Sequence, residues 1–299
     1  VLLSYCVLNE GVMISMLAAL VVQSVTPQSS TVDDVVVIGR PLQERVETFV
    51  DEVAAPVRGR GLARWRTTVC VGVVNLQHEA AAFFADRISQ VAVEQDLGVG
   101  APGCSPNVVI VFADDAQSLS AALVSQQPRT FRPGYSGASQ GSAALERFTN
   151  EARPVRWWHV GVPYVGATGE VAVRLPGRDP PRVPGEGLVN KGRPVADALI
   201  KSIIIVDTPQ VERVGGAQLA DYLALVALAQ VDPHAEVGGV DTILNLFNAP
   251  EEAEGLTSWD RSYLAALYRA HPERTDPTDQ TSAMARQMSR DRADDAEGD

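Results

Sequence analysis

Four histidines, three cysteines and one carboxylate inside a long apolar segment are the residues of this chain best equipped for chemistry. His78, His159, His234 and His271 are too far apart in sequence to pair as metal ligands, and no H-E-x-x-H pair is present. No G-x-S-x-G, no P-loop and no G-x-G-x-x-G opening a helix occurs either. Ser136, in Gly134-Tyr135-Ser136-Gly137, lies in a loop rather than on the strand-to-helix turn that activates a nucleophile. No cofactor and no metal are therefore expected.

His159 stands in VRWWHV, read as a strand. Alternation puts Val155, Trp157 and His159 on one face and Arg156, Trp158 and Val160 on the other. Such a strand either lines a pocket with an aromatic wall and polar groups, or fills space with His159 hydrogen-bonded at the sheet edge. Asp221 lies on the apolar helix read over Ala217–Gln230. A carboxylate there must be paired or its pKa rises. It serves as an acid, or it bonds an arginine or a strand-end backbone group. Arg156, His159 and Asp221 are the candidate catalytic residues, in a hydrolase site of no standard type.

Cys70 lies in a strand and Cys104 in a Pro/Gly turn before the next one, which brings them within reach of a disulfide. Two inert buried thiols are the other reading. The disulfide suits an oxidising compartment. The N-terminus agrees with export. From Met13 the apolar run Ile14–Val22 is too short to span a bilayer and has the length of a signal-peptide core. A buried N-terminal helix is the rival. Residues 1–30 are read as leader and linker, and the mature protein as periplasmic or secreted with no membrane span.

The net charge of −12 and pI of about 4.8 exclude the basic stripe that a nucleic-acid partner requires. Hydrophobic content of 45% is ordinary for a globular chain.

The elements that must position these residues alternate along the chain. Helices are read over 42–53, 79–95, 115–124 and 142–151, and strands over 64–76, 107–113, 154–163 and 170–175. The segment Leu199–Pro233 is the organising stretch: a β-rich strand to Asp207, then the helix Ala217–Gln230, apolar on nearly every side. Further helices are read over 241–247, 259–270 (with a capping box at Thr257–Asp260) and 282–290. The expectation is an α+β protein with an α/β-like N-terminal half. A mixed sheet of about five strands is covered by helices, with a helical C-terminal subdomain. Residues 31–289 form one globular domain with halves 31–150 and 151–289, and residues 290–299 are a disordered acidic tail.

SIIIVDTPQV, QLADYLALVALAQ, TILNLF and GLTSWDRSYLAALY together resemble a group of uncharacterised exported proteobacterial proteins whose C-terminal half looks like the zincin peptidase fold. The resemblance covers less than half of the chain. It implies a helix that would carry H-E-x-x-H. In that register Ala220 and Ala224 stand at the histidine positions, Asp221 at the glutamate and Gln230 at the third ligand. Alanine offers no lone pair, so the resemblance implies a member without the metal.

Three functional readings follow. The first is a non-catalytic exported protein that binds a peptide or protein in the cell envelope. The second is the hydrolase around Arg156, His159 and Asp221. The third is an envelope protein docking a TonB-like partner by strand addition through Val35–Arg40 (VVVIGR), which resembles a TonB box, or is an ordinary edge strand.

Overall fold

Thirteen residues ending at Asp207 become the middle of the sheet. In the computed structural model, residues 41–57, 60–132, 140–165, 169–173, 195–269 and 277–298 are described. The leader, the Val35–Arg40 segment, Ser136 and His271 lie outside them.

The strands are β1 (Arg64–Trp65), β2 (Val71–Val74), β3 (Val108–Ala113), β4 (Val155–Val165) and β5 (Val195–Asp207). They form one five-stranded mixed sheet in an α/β fold. β4 runs antiparallel along one edge of β5, from Val155 opposite Val206 to Val165 opposite Val195. The other edge of β5 is shared by β1, parallel at Ala198–Leu199, and β3, parallel at Ser202–Asp207. β2 lies outside β3, also parallel.

This register explains why the run read as one strand over 64–76 is broken. Trp65 pairs with β5 but Val71 pairs with β3, so the chain must step outward by one strand between them. Val69 bridges Val99 on the way.

The helices are α1 (Leu42–Val53), α2 (His78–Glu94), α3 (Ala116–Gln126), α4 (Pro128–Phe131), α5 (Ser142–Asn150), α6 (Thr208–Val211), α7 (Gly216–Leu228), α8 (Ser258–Arg269) and α9 (Pro277–Gly298). A 3-10 turn covers Ile243–Asn245, where a short α-helix is read from the sequence. Helix α9 includes residues that the sequence alone assigns to an acidic tail.

One face of the sheet packs Ile110, Ile204 and Val206 against α7, which in turn meets α2 and α8, while α1 packs on α9. The other face packs Ile203, Ile205 and Trp158 against Phe131, Leu145 and Phe148 of α4 and α5. Every residue of α7 from Leu219 to Leu228 is buried. At about 1.5–3 kcal/mol for each large apolar side chain removed from water, this helix is the main anchor of its layer. Gln218 fixes its start. Its Oε1 accepts from the Gly215 N–H at 2.9 Å, and its amide donates to the carbonyls of Pro250 and Ala253.

Phe84, not Phe83, is the buried aromatic of α2, and Phe83 is 48% exposed. Phe84 falls one helical turn before Ile88, in line with Val91 and Ala92, and Phe83 lies off that stripe. The cap of α3 is Asp115: its carboxylate accepts from the Ser118 N–H at 2.8 Å.

Cys70 and Cys104 are joined as a disulfide, with Cα atoms 6.1 Å apart. The loop between Gly98 and Pro106 is held beside β2 by further bonds. Val69 N–H donates to Gly98 and Gly100 N–H to Val69, both at 2.8 Å. Gly100 is required there, because a Cβ would enter the space of the Cys104 sulfur.

Among the described residues, no helix is long and apolar enough to cross a membrane.

Candidate functional site

The alternation on β4 holds, and it separates two of the three candidate residues. Arg156 and Trp158 face the layer of α4 and α5; Trp157 and His159 face α7. Arg156, 2% exposed, donates through Nη1 to the Phe148 carbonyl at 2.8 Å, and at longer range to Thr149 O and Ser120 Oγ. His159, 3% exposed, has Nε2 2.8 Å from the Val226 carbonyl of α7. A carbonyl only accepts, so Nε2 carries the proton. Burial pulls the His159 pKa down to about 4, against the effect of the Val226 carbonyl, so the ring is neutral.

Asp221 is held elsewhere, on the side of α7 that meets α2. Its Oδ1 accepts from Arg87 Nε at 2.5 Å and its Oδ2 from the Leu256 N–H at 2.8 Å. A Cβ on Gly255 would collide with that carboxylate, so the 250s loop can close on it only with glycine there. The structure thus gives Arg156, His159 and Asp221 separate partners and does not bring them together. The alanines at 220 and 224 are wholly buried. Gln230 accepts the Ala63 N–H through Oε1 at 2.6 Å. Among the described residues, no three of His, Cys, Asp and Glu are grouped as metal ligands.

What the structure does assemble is a cavity of about 330 Å³ at the outer edge of β4. One wall comes from α5 and the residues on either side of it, with Gln140, Arg147 and Glu151; the other comes from Ala54–Val57 and Gln230–His234. An antiparallel bridge between Ala54 and Val231 ties the second wall together.

The floor is β4. In an antiparallel pair, successive residues turn their peptide groups alternately toward and away from the partner. The Pro154 carbonyl accepts from the Asp207 N–H of β5, so Val155, Trp157 and His159 turn theirs outward. Bonds on that outer side agree: Gln140 donates to the His159 carbonyl at 2.9 Å, and Ala172 N–H to Pro163 O at 2.8 Å. Val155 and His159 are almost fully covered, whereas Trp157 is half-buried. Trp157 is therefore where an outward N–H and C=O meet the cavity. Neither has a hydrogen-bond partner among the described residues. Its indole N–H is used, donating to Val231 O at 3.2 Å.

A charged cluster spans the mouth. Glu151 accepts from Arg153 at 2.9 Å through Nε, and His234 Nε2 lies 3.0 Å from the same carboxylate. The Asp232 carboxylate accepts from the His234 N–H at 2.8 Å, and Arg153 also donates to the Pro233 carbonyl. Burial acts to raise the Glu151 pKa, but Arg153 and His234 outweigh it and hold the group below the usual carboxylate value. Sequence reading missed this cluster. Glu151 and His234 are far apart in the chain, one at the end of the helix read over 142–151 and the other beyond the segment Leu199–Pro233.

No family model, no curated protein and no solved structure matches the chain.

Proposed function

We propose that this is an exported protein that binds a peptide or protein segment in the cell envelope, without cleaving it. The observation that carries the reading is the Trp157 peptide group, facing a cavity between two charged walls. A free strand-edge donor and acceptor side by side are what an extended polypeptide pairs with. The cavity is of a size that binding sites commonly have, roughly 300–1,000 Å³. Its lining offers no serine, threonine or cysteine as a nucleophile among the described residues.

The core helix fits the same reading. It carries alanine where the zincin resemblance would place metal-binding histidines, so its role is packing. The disulfide is compatible with an oxidising compartment.

The test is incubation with an unstructured polypeptide, followed by size-exclusion chromatography and intact mass measurement. Co-elution with the polypeptide left whole is the expected result. Cleavage products, or no complex at any concentration, contradict it.

A further inference from the structure

The residues around the cavity have an unusual charge balance for this protein. Three arginines (Arg147, Arg153 and Arg156) face two carboxylates (Glu151 and Asp232). The chain as a whole carries −12. A locally basic cavity on an acidic protein attracts anions.

The state of each arginine sharpens this. Arg153 is paired with Glu151. Arg147 is exposed, at the C-terminal end of α5, and its side chain has no hydrogen bond or ion pair among the described residues. Arg156 lies beneath the cavity, nine-tenths buried or more. Its contacts are neutral oxygens only, and its Nε has no partner. A buried guanidinium without a carboxylate beside it is costly unless an anion completes it. Asp207, Asp115 and Glu151 act on it from a distance without offsetting its burial, which lowers its pKa.

We propose that the segment bound here carries a carboxylate, received by Arg147 at the mouth and favoured by the field of Arg156 below. Its backbone pairs with Trp157. This rests on the peptide-binding reading and names the class of peptide: an extended segment with an acidic side chain. The charge-assisted bond to Arg147 supplies the preference for Glu or Asp over the isosteric amides.

The experiment compares short Thr/Val peptides, blocked at both ends, with a central Glu, Gln or Lys, by calorimetric titration of the full chain. A fourth has no central charge but a free C-terminal carboxylate. The Glu peptide is expected to bind about tenfold tighter than the Gln peptide, with Lys weaker still. Arg147→Glu, an exposed substitution, should remove that preference and Arg147→Lys should retain most of it. Raising the salt should weaken the Glu peptide most.

Equal binding of Glu and Gln peptides overturns the carboxylate inference and leaves peptide binding standing. No binding by any of the four overturns both. Preference for the free C-terminal carboxylate over the Glu side chain overturns the side-chain assignment. Displacement of the Glu peptide by inorganic phosphate at equal concentration overturns the peptide-specific one. Saturable self-association of the chain without peptide assigns the cavity to a second copy and also overturns it.

Discussion

Arg156 and His159 lie three residues apart on β4 and project to opposite faces of the sheet, one bonded to the Phe148 carbonyl and the other to the Val226 carbonyl. Residues an odd number apart on a strand send their side chains to opposite faces. Each instead joins the sheet to the layer on its own side, and the outward peptide group of Trp157 is left between them at the cavity floor.

The burial of His159 sets a pH dependence. Its unfolded pKa is about 6.5 and its folded pKa is lowered to about 4. Below about 6.5 the unfolded chain binds a proton that the folded chain does not. Stability is therefore intact above that pH, declines as pH falls toward 4, and levels off below. The full loss is about 3 kcal/mol. Urea midpoints between pH 4 and 7 should show this limb in the parent, and a flatter one in His159→Gln. A nitrogen spectrum at pH 6 should show a neutral ring protonated at Nε2.

Arg87→Met should destabilise the fold by about 2 kcal/mol, because it leaves the Asp221 carboxylate with only the Leu256 N–H. Asp221→Asn should cost less. Denaturant midpoints of the two variants check the order. Neither should alter peptide binding, since Asp221 lies away from the cavity. A loss of binding in Asp221→Asn with stability unchanged would return Asp221 to the functional residues.

The Cys70–Cys104 crosslink closes a loop of sequence separation 34. Loop entropy gives it about 3–4 kcal/mol. The double variant Cys70→Ser, Cys104→Ser should lose about that much in urea unfolding. The parent should match it once reductant is added to the unfolded chain before refolding.

Much of this was readable in the sequence, for reasons visible in individual residues. Val46, Phe49, Val50 and Val53 repeat at helical spacing and are all buried in α1. The apolar run before Asp207 and the helix after it stand out because both are covered on two sides. Thr257 and Asp260 signal the start of α8, and they bond there as read. The cavity was not readable, because it depends on which edge of β5 receives β4. Local pattern carries no information on that choice. Nor does it show that Glu151 and His234, from separate elements, meet at the mouth. The partner of Asp221 was hidden for a related reason: Arg87 reads as an outward residue on α2, and only tertiary packing brings α7 beside it.

The proposal that the cavity receives an extended segment is tested most directly at the Trp157 backbone amide. Its hydrogen exchange and its chemical shift should be followed with and without the central-Glu peptide. The account expects slowed exchange and a downfield shift at Trp157 on saturation, with Arg147 side-chain signals moving in parallel. Saturable binding that leaves the Trp157 amide unchanged would contradict it.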